Sequence, residues 1–457
     1  MRLLLAFTLA LVAASAPAQP PHEPKDGKTV IPMTVSASPA PKLALKHQLL
    51  PELRDTLPGN QIQAFYKCFM EQHHLYRGKE AIEKREKWLV APLAELAGEK
   101  ELIGYGGSSS KQADHAAHLD AVDWAILSQL QREGIYLLLP DVQQLRELAS
   151  VLKLKLRGEV ARGEFDAAVR TAKVMFALAR AFEDHPTLIG QLVGIAITSM
   201  TLDALEEFVR QPAAPNLFWP LADMPTPFIS LRKGMQGERT WLGKQYDVLA
   251  KADVVPEAEL KRLADTLTPI LQFEGSKRHA TWLNWTAQAA DAATVKDARA
   301  RLVAFGHAAD AVGKLPPVQV VMADDFTRYL ALQDDLMKWM NQPYWKLPAE
   351  FDSGRAAGIF GELPASMLKV KQSQARVQQR FALLGVIEAV RLYAGANDGK
   401  VPASLDAVKL PLPSDPFTGK PFAYEVKDGV GVLRATPPPD MLKNAAYNRV
   451  YEITIRK

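Results

Sequence analysis

Helical periodicity dominates the pattern of hydrophobic and polar positions between about residue 43 and residue 340. Apolar side chains recur at helical spacing through this stretch, and no convincing run of alternating residues interrupts it. Glycine and proline clusters separate the segments, which predicts antiparallel helical hairpins in a helical domain over 43–340. Because helical spacing assigns faces and not crossing angles, a closed bundle and a short solenoid both fit the pattern.

One segment carries no charged residue between Pro186 and Asp203. A helix that is apolar on every side is either buried in a core or inserted in a membrane. The uncharged run of about 16 residues is shorter than the roughly 20 that span a bilayer. We therefore predict the central helix of the core here, and no integral membrane span in the mature chain.

The end of the chain has a different pattern. Residues 366–394 are typical of one long helix, which Asn397, Asp398 and Gly399 should end. Short alternating segments follow, at residues 422–426, 430–433 and 451–455. This order predicts a small C-terminal α+β module over 366–457 with a three-stranded antiparallel sheet, joined to the helices by an irregular connection over 341–365.

This module resembles the globular part of a major pseudopilin. It follows that family's order of helix end, acidic-glycine stop, proline and Asp-Pro-aromatic turn. The matching residues are Tyr393, Asp398, Gly399, Pro402, Asp415, Pro416, Phe417, Gly419, Pro421 and Tyr424. The resemblance covers about the last fifth of the chain and implies an architecture rather than a reaction. The family's processing site is absent from the N-terminus, which disfavours a filament subunit.

Two further resemblances concern the helical region and the whole chain. Residues 163–168 look like the helix junction of a tetratricopeptide repeat, although Leu156 and Glu159 depart from that family's pattern. The whole chain is similar to a group of secreted planctomycete proteins without an assigned function. They share the uncharged helix, the loop at 215–219 and the sequence at 415–421. These resemblances imply helical hairpins and export, and no reaction.

The N-terminus has the features of a secretory signal peptide. Arg2 precedes an apolar run at 3–14, and Ala16 and Ala18 suit a cleavage site. We expect a signal peptide over 1–18, then a poorly ordered proline-rich linker over 19–42, and export to the periplasm or out of the cell.

Composition narrows the function classes further. The chain has 457 residues and a net charge of +4, with basic residues interleaved among acidic ones, which gives no support to nucleic-acid binding. Cys68 is the single cysteine, so no intrachain disulfide forms, and its place beside an apolar helix face predicts a buried, inert thiol.

The histidines offer one candidate for metal binding. His115 and His118 lie three positions apart on one helix face and suit zinc, but the sequence indicates no further ligands. His73 and His74 are adjacent, so they point to different faces of a helix. A solvated helix face is the simpler interpretation of the first pair.

Aromatic and acidic pairs form the remaining candidates. Trp282 and Trp285 have the spacing of an aromatic shelf for a sugar or a peptide, but core packing explains them better. The pairs 324–325 and 334–335 are adjacent aspartates, and glycosidases use paired carboxylates. We expect both acidic pairs on a solvated helix face.

No nucleophile elbow, Walker loop or dinucleotide-binding turn occurs in the chain. The leading hypothesis is an exported, non-catalytic helical scaffold that binds a protein partner in the cell envelope. The alternatives are an exported hydrolase, with or without a metal, and an accessory of a secretion or pilus-like machine. We assign no catalytic, cofactor-binding or metal-binding residue and no cofactor, and the oligomeric state stays open.

Overall fold

Helices account for most of the chain, as the periodicity predicts. The computed structural model describes residues 27–134, 137–273, 280–348, 351, 358–361 and 367–456. The helices in this part of the chain are α1 (Gln61–Glu71), α2 (His73–Arg77), α3 (Lys79–Val90), α4 (Leu93–Ala97), α5 (Gly107–Ala117), α6 (Leu127–Glu133), α7 (Pro140–Ala161), α8 (Phe165–Ala181), α9 (Leu188–Val209), α10 (Phe218–Ala222), α11 (Arg232–Tyr246), α12 (Glu257–Phe273), α13 (Thr281–Ala289), α14 (Ala292–Ala304), α15 (Ala309–Lys314), α16 (Pro317–Met340) and α17 (Met367–Ala396).

The strands form two separate sheets. They are β1 (Thr29–Ser36), β2 (Leu57–Asn60), β3 (Leu119–Ala121), β4 (Ala423–Lys427), β5 (Val430–Arg434) and β6 (Arg449–Arg456). The expected mainly helical protein with a small C-terminal sheet is confirmed. The expected signal peptide at 1–18 lies outside the described residues.

Helices α7, α8 and α9 pack against one another in pairs at the centre of the molecule. Gly163, at φ 72°, turns the chain between α7 and α8, a backbone conformation that glycine adopts without strain. The side chain of Thr187 caps α9 by accepting a hydrogen bond from the Gly190 amide. Helix α9 is the uncharged helix, and 78% of its most apolar 18-residue window is buried inside the protein. The prediction of a central core helix is confirmed.

A second hydrophobic core lies between α11 and α16. Helices α12, α13 and α14 surround it, and its residues do not mix with those of the central core. Trp285 and Phe360 pack there with ring centroids 5.6 Å apart. Within the described residues, the helical region expected over 43–340 therefore contains two separate hydrophobic cores.

Helix α17 lies in the central core. It packs against α9 and α10. The Phe381 ring of α17 contacts Phe176 and Phe228, with centroids 5.4 and 5.0 Å apart. The hydrophobic core thus continues across the boundary that the sequence pattern suggested near residue 366.

The C-terminal sheet has four strands, in the order β1-β6-β5-β4. Strand β5 is antiparallel to both of its neighbours, whereas β1 pairs with β6 in parallel. The expected three antiparallel strands are present, but the prediction of a three-stranded antiparallel sheet is incomplete because it lacks β1.

Strand β1 comes from the segment that we expected to be a poorly ordered linker. Ile31, Met33 and Val35 alternate with exposed residues and are at most 1% exposed. Pro32 is tolerated because β1 lies at the edge of the sheet. Arg391 of α17 donates a 3.0 Å hydrogen bond to the Ser36 carbonyl and holds the end of the strand. The linker expectation is wrong for these residues.

Strands β2 and β3 form a second, two-stranded parallel sheet. Leu57 and Leu119 pair across it, and the sequence pattern predicted no strand at either position. Four-residue and three-residue strands are too short to produce a recognisable alternation.

Buried ion pairs connect the helices of the central core. Arg157 of α7 is 1% exposed, and both Nε and Nη2 donate to Glu207 of α9 at 2.7 and 2.9 Å. Its remaining N–H groups donate to the carbonyls of Trp88, Leu89 and Ala91. All five guanidinium donors are therefore used, and one side chain joins α7, α9 and the end of α3.

Candidate functional site

The histidines expected as a metal candidate lie near the surface at the end of α5. His118 follows that helix, and its Nδ1 lies 2.7 Å from the Asp114 carbonyl, a contact within the same turn. His115 is exposed in the last turn. Among the described residues, no group of three histidine, cysteine or acidic side chains is placed to hold a metal ion.

A different histidine, His185, is buried against the central core. Its ring packs on Trp124 with centroids 4.5 Å apart, and the backbone N–H of Thr187 donates to its Nδ1 at 3.2 Å. Burial lowers the pKa of His185 from 6.5 to about 3. Gly190 leaves room for this ring, since a Cβ there would lie 2.2 Å from it.

His185 should make the protein less stable in acid. The unfolded chain binds a proton near pH 6.5 and the folded chain only near 3, so this contribution is complete above about pH 6.5 and is lost as the pH falls toward 3, by up to about 1.4 kcal/mol per pH unit. His185→Asn keeps an acceptor in place of Nδ1 and removes the titration. In urea titrations at pH 7.5, 6.0 and 5.0, the wild type should lose stability relative to this variant; parallel pH profiles would contradict the assignment.

The acidic pair at 324–325 is not on a solvated face, so that expectation is wrong. Both carboxylates are 2% exposed. Asp324 accepts two hydrogen bonds of 2.9 Å from Arg301. Asp325 accepts from the indole N–H of Trp285 at 2.9 Å and from the Ile359 amide at 2.8 Å. Burial raises the pKa of Asp325. These acids hold the second core together.

The other candidates have the expected environments. The pair at 334–335 is exposed, with side chains 68% accessible. Trp285 is fully buried and Trp282 packs against the same core, so the core-packing interpretation is confirmed for Trp285. Cys68 is buried, as predicted, and burial raises its pKa to about 12, which disfavours the reactive thiolate.

A surface groove is a further candidate for binding. It encloses about 530 Å³ between two segments that are distant in sequence. The first wall is an irregular segment, and its lining residues are Leu45, Gln48, Leu49, Leu50, Pro51, Glu52, Leu53 and Arg54. Leu49 is 2% exposed, which anchors this wall to the core, whereas Leu53 is 89% exposed.

The second wall comprises α10 and the turn after it. Its lining residues are Pro220, Asp223, Met224 and Pro225. The wall is fixed to α17, because the Asn216 side chain just before α10 donates to the Glu388 carbonyl at 2.9 Å and Phe218 packs on Ala389. One wall is thus rigidly supported, and buried Met224 contributes to the lining.

The groove combines apolar area with an acidic rim. Leu43 and Leu57 are also at least half exposed, so the first wall adjoins further exposed leucine side chains. Grooves of several hundred Å³ with a few polar groups are typical ligand sites. The lining carries two carboxylates, Glu52 and Asp223, and one guanidinium, Arg54. Arg54 is already paired with Glu52, which leaves the exposed Asp223 carboxylate without an ion pair in the described part of the chain.

Sequence reasoning missed this groove because its walls are about 170 residues apart and neither contains a motif. One indication of it was present in the sequence, a set of leucine residues within 43–57 that were not assigned to the buried face of a predicted helix. No known protein family, curated protein or solved structure matches this chain.

Proposed function

We propose that this protein is an exported, non-catalytic helical scaffold that binds an extended segment of a protein partner in the groove between residues 45–54 and 220–225. The observation that carries the proposal is the highly exposed Leu53 beside an apolar groove with buried Leu49 and Met224. A concave surface that combines leucine side chains with a few polar groups suits a bound ligand. Export rests on the signal-like pattern at residues 1–18.

The charge of the rim specifies the partner further. Asp223 is an exposed carboxylate at the mouth of an apolar groove, and the lining has one more acid than base. A segment with leucine-like side chains next to a lysine or arginine would fill the groove and neutralise Asp223. The volume of about 530 Å³ suits a few side chains and not a folded domain.

A peptide panel tests this function. Labelled peptides are titrated with the protein and followed by fluorescence anisotropy. The peptides differ in whether they contain a pair of leucines and in whether a lysine lies next to that pair. We expect the peptide with both features to bind best and Leu53→Asp to weaken its binding about tenfold or more, because an aspartate would be desolvated at an apolar contact. Asp223→Lys should shift the preference toward peptides with glutamate in place of lysine.

Leu283→Asp is the matched control. Leu283 is 68% exposed on α13 and far in sequence from the groove, so its replacement should leave peptide binding unchanged. Equal binding by the Leu53 and Leu283 variants would contradict the proposal. Saturable binding of a fatty acid, with no peptide bound, would assign the groove to small apolar molecules instead.

The accessory role in a secretion machine has less support. It rests on the pseudopilin-like order of residues after Tyr393. Helix α17 is covered by α9 and α10 of the same chain, and its buried positions lie all around its circumference. It is therefore not free to pack into a filament, and we favour the scaffold.

A further inference from the structure

Arg376, in the first third of α17, is a buried cation that has no acidic partner among the described residues. The side chain is 8% exposed, and its guanidinium lies over the Tyr447 ring at 5.1 Å from the centroid. Within the described residues it has no ion pair and no hydrogen bond. Burial lowers the pKa of Arg376, whereas the two carboxylates beside Arg380 more than offset burial and raise the pKa of that guanidinium.

Arg376 adjoins a buried cluster of charges between α7, α9, α17 and β6. Asp203 accepts from Lys153 at 2.9 Å and from Arg380 at 2.8 Å. Glu206 accepts from Arg380 at 2.8 Å and from Arg449 at 3.1 Å. With Arg376 the cluster holds four cations and two carboxylates, an excess of two positive charges.

The neighbouring acid does not balance this excess. Asp440 lies close enough to Tyr447 to influence its pKa. Its carboxylate accepts from the Gln372 amide at 2.9 and 3.0 Å, one turn before Arg376 on α17. Including Asp440 still leaves one surplus positive charge. Burying a cation without an acidic partner is unfavourable, so an anion bound beside Arg376 would stabilise the fold.

Little of the Arg376 and Arg449 side chains reaches solvent. Arg376 is 8% exposed and the Arg449 side chain 16%, so a polymer cannot reach either guanidinium along much of its length. The planar fork of arginine matches the oxygen atoms of phosphate and sulfate in a bidentate geometry. We propose that Arg376, supported by the positive field of Arg380 and Arg449, binds a small tetrahedral oxyanion such as phosphate, free or as the terminal group of a small molecule.

Calorimetric titration of the full chain in Tris chloride buffer tests the site. We expect inorganic phosphate to bind in a saturable manner with a dissociation constant below about 1 mM. Arg376→Gln should weaken binding about tenfold or more, because it removes charged hydrogen bonds. Arg376→Lys should be intermediate, since it keeps the charge and loses the fork. Titration with glycerol 3-phosphate distinguishes a free phosphate ion from a phosphate group on a small molecule. Tighter binding than inorganic phosphate indicates that the ligand is a phosphomonoester, and weaker binding indicates that it is the free ion.

A stability measurement separates binding from a purely structural role. In phosphate-free buffer, Arg376→Gln should unfold at the same temperature as the wild type or higher, and phosphate should raise the unfolding temperature of the wild type more than that of this variant. Arg170→Gln, at an exposed position on α8, is the matched control and should keep phosphate binding. No saturable heat with phosphate or sulfate up to about 10 mM would overturn the proposal, as would equal binding by Arg376→Gln. Neither result bears on the peptide groove.

Discussion

Replacing Arg157 by methionine should lower the free energy of unfolding by about 3–5 kcal/mol. The guanidinium is 1% exposed and uses all five of its N–H groups, two of them on Glu207. Methionine fills a similar volume but removes the donors to the buried Glu207 carboxylate and to the carbonyls of Leu89 and Ala91. Urea titration followed by tryptophan fluorescence measures the change.

The double variant isolates the electrostatic part of this effect. Adding Glu207→Met to Arg157→Met removes the uncompensated carboxylate, so the double variant should recover part of the lost stability. A conservative comparison is Arg162→Met, because Arg162 also lies at the end of α7 but pairs only with exposed Glu164. That change should cost less than about 1 kcal/mol. A loss for Arg157→Met no larger than for Arg162→Met would show that the buried pair does not hold the helices together.

Met33→Ala should destabilise the protein by about 2–5 kcal/mol, although it lies in a segment that the sequence pattern assigns to a linker. The Met33 side chain is fully buried in β1, and its Sδ lies 3.1 Å from Nε of Arg210. Shortening the side chain leaves a cavity between β1 and the helices. Chemical denaturation again provides the measurement.

The neighbouring residue is the matched control for this variant. Thr34 points to the opposite face of β1 and is exposed, so Thr34→Ala should change the free energy of unfolding by no more than about 0.5 kcal/mol. If residues 29–36 were an unattached linker, both substitutions would be neutral. A large difference between two adjacent positions therefore tests whether β1 completes the sheet.

Helices were the most predictable part of this fold because their signals are local. Helix α9 followed from 16 uncharged residues after Pro186, and the hairpin of α7 and α8 from glycine between two apolar stripes. The turn between β4 and β5 followed in the same way from Asp428 and Gly429, which have positive φ of 50° and 80°. Each of these features depends on residues within a few positions of one another.

Strand β1 was missed although its alternation is present in the sequence. Ile31, Met33 and Val35 have the spacing of a half-buried strand, but Pro32 suggested irregular structure. The partner of β1 is β6, more than 400 residues away, and nothing in the local pattern indicates that pairing. Proline is accepted at an edge strand, and only the complete sheet shows that β1 is an edge.

The candidate sites were harder to predict because burial of a polar residue depends on distant partners. Asp324 and Asp325 have the sequence context of a solvated helix, and Arg301 and Trp285 bring them into the second core. Arg376 is the opposite case, because its position on α17 is buried and no acid among the described residues pairs with it.

The amino-acid sequence by itself determined that this protein is mainly helical, that α9 lies in the core and that a small sheet follows α17. These conclusions need only the period of apolar residues and the chemistry of turns. The tertiary structure alone decided that the segment at 29–36 is a strand, which acids are buried, and where a groove and a surplus of buried positive charge lie. Each of these depends on contacts between residues far apart in the chain, and local spacing carries no information about such contacts.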